Sequence, residues 1–235
     1  MVSPPNLGEL RSAEANCTRC PLYQHATQVV PGDGPRDARI IFVGEQPGND
    51  EDLRGRPFVG PAGRILDRAI ADAGLDRFMI FVTNAFKHFK FEQRGQRRLH
   101  KRPNAYEIDR CRWWLDQERA LIRPELVVAL GATAARGVLG RTVSIAKVRG
   151  QILSEEASGS VLVTIHPSYL LRIQSDEHQA KKADAYNRFL RDLRVCAKAL
   201  HDSKKNPALR RTRGGKMGTI RSLSSAKRQG QEGAE

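Results

Sequence analysis

The sequence predicts an α/β fold in three layers, with a central four-stranded parallel sheet between two layers of helices. Two observations lead to this prediction. Four short apolar segments have the character of buried strands, and segments with apolar residues at helical spacing alternate with them. A chain of 235 residues is also long enough to bury one substantial core. Strands that alternate with helices pair in parallel, because each helical crossover returns the chain to the end of the sheet at which the previous strand began.

The predicted strands share an apolar run that ends in polar or turn residues. They are residues 39–44, 79–83, 126–130 and 161–165. Helical spacing of apolar residues predicts a helix over 65–73, with Gly74 as its stop. Asn104, followed three residues later by Glu107, predicts the start of another helix. A last helix is predicted to start near Ser175.

The positive charge of the chain is concentrated in two segments. The formal net charge is +14, and residues 87–102 and 201–235 each carry +6, which leaves +2 for the rest. A charge run is often only a solvated surface, but the first run lies in a loop inside the predicted domain. We therefore expect a nucleic acid partner. Neither run has an apolar face, which argues against a membrane surface, and no apolar run is long enough to span one.

Composition and spacing predict three regions. Residues 1–36 form an N-terminal segment with Cys17-x-x-Cys20, residues 37–200 form the domain with a basic loop at 87–103, and residues 201–235 form a basic tail expected to be disordered. The start of the sequence lacks a signal-peptide pattern. We therefore expect a monomeric, cytoplasmic, DNA-associated bacterial protein whose cysteines serve metal binding or chemistry rather than disulfides.

Polar segments follow three of the predicted strands. In parallel sheets, ligands bind at the carboxyl ends of the strands, so three polar segments at those ends predict one active site. The segments are Gly44-Glu45-Gln46-Pro47-Gly48, Thr83-Asn84-Ala85 and His166-Pro167-Ser168.

These segments resemble motifs of the family 4 uracil-DNA glycosylases. The first motif continues through residues 55–63, and the last runs through 166–172, so that the resemblance covers roughly residues 15–198. Gln46 and the inserted loop 97–103 are similar to the UdgX branch, whose members bond covalently to the abasic site that they create. The resemblance implies a uracil-DNA glycosylase fold, uracil-containing DNA as partner, and excision of uracil.

The resemblance also implies roles for individual residues. His166 would donate a hydrogen bond to the departing uracil, while Glu45 and Gln46 would steady the sugar cation or orient the attacking group. Phe58 would stack on the base, and Asn84 would bind the uracil edge, because an amide offers both a donor and an acceptor. Without the motif, Phe58 fits a core aromatic, and Asn84 and His166 fit turns. The implied substrate-binding set is Phe58, Asn84, Gly44, Gly48 and Ser168.

His100 lies in the basic loop where the UdgX resemblance places a nucleophile. A neutral imidazole there would attack the sugar in place of water and leave a stable sugar–histidine bond. The residue pattern alone favours a surface histidine that contacts phosphate, as in a conventional turnover glycosylase, and the resemblance of the loop to UdgX reverses this preference. A non-catalytic module that binds uracil-DNA is a further alternative. The expected DNA contacts are Arg97, Arg98, Lys101, Arg102 and Arg172.

Asn49 departs from the family pattern, which has an acidic residue directly after the first motif. A carboxylate that orients water in the relatives is therefore missing or displaced here, which weakens the case for efficient turnover.

The Cys17-x-x-Cys20 spacing lets two thiolates reach one metal centre. Counting cysteines would complete the site with Cys111 and Cys196, but Cys196 falls on the apolar stripe of the last helix. The resemblance instead implies His88 as the fourth ligand of a [4Fe–4S] cluster, with Cys17, Cys20 and Cys111. Zinc would accept the same donors and is the less favoured alternative.

Overall fold

The structure of the protein, a computed structural model, describes residues 3–155, 158–173 and 179–205. The predicted helix start near Ser175 and the tail from residue 206 onward lie outside the described residues.

The central sheet has five strands in the order β2-β1-β5-β7-β6. The strands are β1 (Ile40–Gly44), β2 (Ile80–Asn84), β5 (Leu126–Leu130), β6 (Ile152–Glu155) and β7 (Gly159–Thr164), with a separate hairpin of β3 (Phe91–Arg94) and β4 (Arg97–His100). The first four strands in spatial order are parallel, which confirms the predicted sheet. The fifth, β6, pairs antiparallel to β7 at the edge and was not predicted, because it is short and its residues alternate between exposed and half-buried.

Helices cover both faces of the sheet. They are α1 (Leu7–Ala15), α2 (Asn49–Arg54), α3 (Pro61–Asp72), α4 (Ala105–Ile122), α5 (Ala132–Leu139), α6 (Ile145–Val148), α7 (Ser168–Arg172) and α8 (Gln179–Lys205). Because the β1 side chains alternate in direction, Ile41 and Val43 join the core under α1, α4 and α5. Ile40 and Phe42 join the core under α3, α7 and α8.

The helix ends follow the predicted signals in part. Asn104 accepts from the Glu107 amide at 2.9 Å and Glu107 accepts from the Asn104 amide at 2.7 Å, which confirms the predicted start of α4. Cys196 is fully buried on the apolar face of α8, as predicted. Helix α8 extends past the predicted boundary at residue 200 and continues to Lys205. Its buried Ser203 bonds to Glu125 at 2.6 Å, which fixes this end of the helix to the domain.

Lys87 is not part of the basic surface to which its place in the charge run assigned it. Its side chain is completely buried, and its ammonium donates to Glu118 at 2.7 Å and to Thr83 at 2.6 Å. Burial alone would lower the pKa of Lys87, but the charge of Glu118 and the hydrogen bond to it hold the pKa above its ordinary value. Burial raises the pKa of Glu14 to about 8, so that Glu118 is the anionic partner.

No helix in the described ranges is long and apolar enough to cross a membrane.

Replacing Glu118 with alanine should destabilise the protein by about 3–5 kcal/mol, because the Lys87 ammonium would stay buried without its anionic partner. The free energy of unfolding from urea titration measures this change. Glu92 pairs with Arg94 at 3.1 Å on the surface, so Glu92→Ala is the matched control and should change stability by less than about 1 kcal/mol. Equal losses in the two variants would contradict a stabilising role for the buried pair.

Candidate active site

The three polar segments meet at the carboxyl edge of the sheet. Strands β1 and β2 end in register, with Gly44 opposite Asn84, and β7 ends two residues before His166. A Cβ atom on Gly44 would lie 2.2 Å from Oδ1 of Asn84 and 2.7 Å from Cζ of Phe58. Gly44 is therefore required by close packing: only a residue without a side chain lets the amide and the aromatic ring approach each other here.

Phe58 adopts a backbone conformation that is rare for a large residue. Its φ is +57°, in the left-handed region, and its side chain is buried. Gly63 packs closely against this turn, because a Cβ atom at Gly63 would lie 1.7 Å from the Phe58 carbonyl oxygen. The ring faces the imidazole of His166, with 6.2 Å between centroids and 28° between planes. Such local strain is typical of a functional position.

Glu51 joins the two loops that form this part of the site. Its carboxylate accepts from the backbone amide of Gly48 at 2.9 Å and from that of Gly60 at 2.8 Å. These amides stand at the starts of α2 and α3, where a carboxylate also meets the positive ends of two helix dipoles. Sequence reasoning missed Glu51, although its place three residues after Gly48 is a capping-box signal.

His166 is a neutral imidazole in a defined tautomer. The backbone amide of Ser168 donates to Nδ1 at 3.1 Å, so Nδ1 is the acceptor and Nε2 carries the proton. The Ser168 hydroxyl lies 2.8 Å from the same nitrogen and accepts from Arg172 at 3.1 Å. Burial lowers the pKa of His166 to about 4, and the charges of Arg172 and His100 act in the same direction. His166 therefore offers one N–H donor to the site at neutral pH.

His100 stands at the end of the basic hairpin, beside the carboxylate of Glu45. Its Nε2 is 3.5 Å from Oε1 of Glu45, and half of its side chain is exposed. That oxygen of Glu45 is buried and has no hydrogen-bond partner among the described residues. The unsatisfied carboxylate oxygen of Glu45 next to the half-exposed imidazole of His100 can therefore interact with a positive charge on a ligand.

Gln46 holds the hairpin through its side-chain amide. Nε2 donates to the carbonyl oxygens of Lys90 at 3.1 Å and Lys101 at 3.2 Å, and Oε1 accepts from the Lys90 amide at 3.2 Å. The resemblance assigned Gln46 to the sugar or the attacking group. The contacts show that both ends of the amide also bind the backbone of the hairpin that carries His100.

Arg98 connects the hairpin to the body of the protein through several contacts. It pairs with Asp52 at 2.6 Å, donates to Asn49 at 2.8 Å, and stacks over Phe89 and Phe91. Asn49, the departure from the family pattern, therefore helps to hold the hairpin. The expected DNA contacts that remain exposed are Arg97, Lys101, Arg102 and Arg172.

Three of the four expected metal ligands lie in one apolar cluster. Cys17, Cys20 and Cys111 are buried and form no disulfide, and Trp114 donates to Sγ of Cys17 at 3.0 Å. Burial raises the pKa of the Cys111 thiol to about 12, and the nearby thiols of Cys20 and Cys17 add to the rise. Burial also lowers the pKa of the fourth expected ligand, His88. Within the described ranges, however, no three His, Cys, Asp or Glu side chains are grouped closely enough to hold a metal ion.

The geometry defines the class of protein first. A parallel sheet that presents a neutral imidazole, an amide and an aromatic ring at its carboxyl edge, next to a basic hairpin, suits an enzyme that acts on a base of a nucleic acid. The particular family follows from comparison with known proteins. The family model of the uracil DNA glycosylase superfamily matches residues 31–194, and the chain belongs to that superfamily.

Individual relatives agree with this assignment. The chain is 41% identical over 162 residues to a type-4 uracil-DNA glycosylase of Thermotoga maritima, covering 68% of this chain and 81% of that protein. It is 35% identical over 163 residues to the type-4 uracil-DNA glycosylase of Archaeoglobus fulgidus, covering 66% and 78%. A type-5 uracil-DNA glycosylase of Pyrobaculum aerophilum is 30% identical over 184 residues, covering 71% and 77%.

At neutral pH, ¹⁵N NMR of the imidazoles should show His166 protonated at Nε2 and bare at Nδ1, because the Ser168 amide occupies Nδ1. This state should persist on acidification until about pH 4, the value to which burial lowers the His166 pKa. The group binds its proton only near that pH when folded, whereas the unfolded chain binds it near pH 6.5. Stability should therefore fall as pH drops from 6.5 towards 4. Titration of His166 near pH 6.5 would contradict the assigned environment.

Proposed function

We propose that the protein excises uracil from DNA by breaking the N-glycosidic bond, with turnover by attack of water. The observation that carries the proposal is the neutral His166, whose only proton-bearing nitrogen is at the carboxyl edge beside Phe58. Bond cleavage builds negative charge on the departing uracil, and a fixed neutral N–H donor lowers that barrier. The type-4 relatives support this reading, because their names describe the same activity.

The remaining side chains support recognition of a base that has left the duplex stack. Phe58 offers a ring for stacking, and the buried Asn84 amide next to it would bind the uracil edge. The buried carboxylate oxygen of Glu45, which has no hydrogen-bond partner among the described residues, would offset the positive charge of the sugar. The exposed cations of the hairpin supply phosphate contacts.

Self-capture through His100 is the second candidate function. The observation that favours it is the 3.5 Å approach of His100 Nε2 to Glu45, which places an imidazole next to the group that would face the sugar cation. In this reaction an imidazole nitrogen bonds to C1′ while the C1′–N1 bond breaks and uracil leaves with the electron pair. The alkylated imidazole then loses its N–H proton to Glu45 or water. The type-4 relatives favour the conventional reaction over this one.

Purified protein mixed with a labelled uracil-containing single strand should release free uracil in excess over the enzyme. His100→Ala should then keep most of the activity, since water attacks, and no band should be shifted on a denaturing gel. His201, an exposed histidine near the end of α8, provides the matched control His201→Ala.

A shifted, heat-stable band that requires both uracil and His100 would instead establish self-capture and contradict turnover. If the protein binds the strand but yields neither free uracil nor a shifted band, it is a non-catalytic uracil-DNA binding module.

We further propose that Cys17, Cys20, Cys111 and His88 hold a [4Fe–4S] cluster with a structural role. Three thiols that are buried together and free of disulfides are donors that suit iron–sulfur clusters, and a buried neutral imidazole suits a metal as well. Such a cluster would cross-link the N-terminal segment to α4. Zinc remains the alternative for the same donors.

Cys17→Ser, Cys20→Ser and Cys111→Ser should each lower the bound iron and acid-labile sulfide of the purified protein and reduce its thermal stability. Cys196 is buried in the opposite core, so Cys196→Ser is the matched control and should leave both contents unchanged. Bound zinc without sulfide in the wild type would contradict the cluster. Iron loss in His88→Ala would assign the fourth ligand.

A further inference from the structure

A basic cleft lies beside the active site, between α7 and α8. Its volume is about 580 Å³, within the range of roughly 300–1,000 Å³ that small-molecule sites occupy. Four cationic side chains line it against one carboxylate. The polar and aromatic residues that line it are Arg149, Tyr169, Arg172, Lys181, Asp184 and Arg188. We call it the α7–α8 cleft.

The α7–α8 cleft shares a wall with the site at His166. Tyr169 directly follows Ser168, whose hydroxyl lies 2.8 Å from Nδ1 of His166, and Arg172 donates to that same hydroxyl at 3.1 Å. The cleft and the site at His166 are therefore connected through Ser168.

The cleft and the basic hairpin belong to opposite edges of the sheet. The hairpin follows β2, which is one edge strand, whereas Arg149 forms a bridge with Val163 of β7, next to the other edge strand β6. The active site lies between them. A DNA strand that follows the positive charge across the active site would contact the hairpin on one side and the cleft on the other.

Within the described ranges, two of the four cations in the cleft pair with a carboxylate and two do not. Arg149 pairs with Asp192 at 2.8 Å and Arg188 with Asp184 at 2.7 Å. Among the described residues, Lys181 and Arg172 have no acidic partner.

Tyr169 adds an aromatic face to these charges. Its side chain is 46% exposed, and within the described ranges its ring has no stacking partner. An exposed aromatic ring beside unpaired cations is the combination with which proteins bind unpaired nucleotides, since the ring stacks on a base and the cations hold phosphate.

We propose that the α7–α8 cleft is a subsite for a nucleotide that neighbours the flipped uracil in an unpaired DNA strand. The base of this nucleotide stacks on Tyr169, and its phosphate lies between Lys181 and Arg172. The inference rests on the proposed uracil excision and specifies its substrate: a base can cover the Tyr169 ring only where it is not stacked within a duplex. The protein therefore favours uracil in single strands.

Steady-state kinetics on a uracil-containing single strand test the subsite. Tyr169→Ala should raise KM about tenfold with kcat unchanged, because stacking holds ground state and transition state alike, and Tyr169→Phe should restore KM. Lys181→Ala should raise KM and lower the salt dependence of binding by about one ion. Phe78, exposed at the opposite end of β2, and Lys198, about 25 Å further along α8, provide the controls Phe78→Ala and Lys198→Ala.

Shortening the DNA strand distinguishes loss of stacking in Tyr169→Ala from a general structural effect of that substitution. Removing the nucleotides on one side of the uracil should raise the wild-type KM to that of Tyr169→Ala and abolish the difference between the two proteins. Removing those on the other side should leave the difference intact. A defect of Tyr169→Ala that persists with both truncations would overturn the subsite, as would a wild-type KM for Tyr169→Ala and Lys181→Ala.

Failure of the proposed function is distinguishable from failure of the subsite. If the wild type releases no uracil, excision is wrong, and anisotropy with a uracil-free single strand still tests the cleft. Weaker binding by Tyr169→Ala and Lys181→Ala than by the two controls supports the subsite, and equal binding by all four overturns it.

Discussion

The geometry of the active site depends on the carboxylate of Glu51, which accepts hydrogen bonds from two backbone amides in separate loops. Gly48 ends the loop after β1, and Gly60 follows the turn that carries Phe58. Because one rigid group spans both, the Phe58 ring is fixed relative to β1 even though its own backbone is strained. Charge-assisted hydrogen bonds to amides at two helix starts are strong enough to offset strain of this order. Gly44 and Gly63 then allow the contacts that any side chain would prevent.

A second set of contacts attaches the basic hairpin to this edge. A short two-stranded hairpin is marginally stable alone, so its position must come from the rest of the protein. Gln46 binds its backbone at both ends, while Arg98 lies over the rings of Phe89 and Phe91 and pairs with buried Asp52. These polar contacts place His100 beside Glu45. Gln46 and Arg98, to which the family resemblance assigns roles in chemistry and DNA binding, thus also position His100 through their contacts.

The opposite face of the sheet contains a buried charge cluster next to the cysteines. Lys87, Glu118 and Thr83 satisfy one another, and Glu118 also accepts from the Gly32 amide at 3.0 Å, which joins the N-terminal segment to α4. Both carboxyl oxygens of Glu14 lack a hydrogen-bond partner within the described ranges, in keeping with a carboxyl group that burial keeps protonated. Removing any member would leave the others buried and unpaired, so the cluster imposes one arrangement on this segment.

The sequence by itself determined the parallel sheet, the polar segments at its carboxyl edge, the start of α4 at Asn104 and the burial of Cys196. Each of these depends on a local pattern: an apolar run, a capping signal or a helical stripe. Only the tertiary structure decided that Lys87 is buried, that Gln46 and Arg98 position the hairpin, and that Tyr169 lines a basic cleft. A side chain's residue type fixes its charge and hydrogen-bonding groups. Its partners lie up to dozens of residues away and are brought to it only by folding.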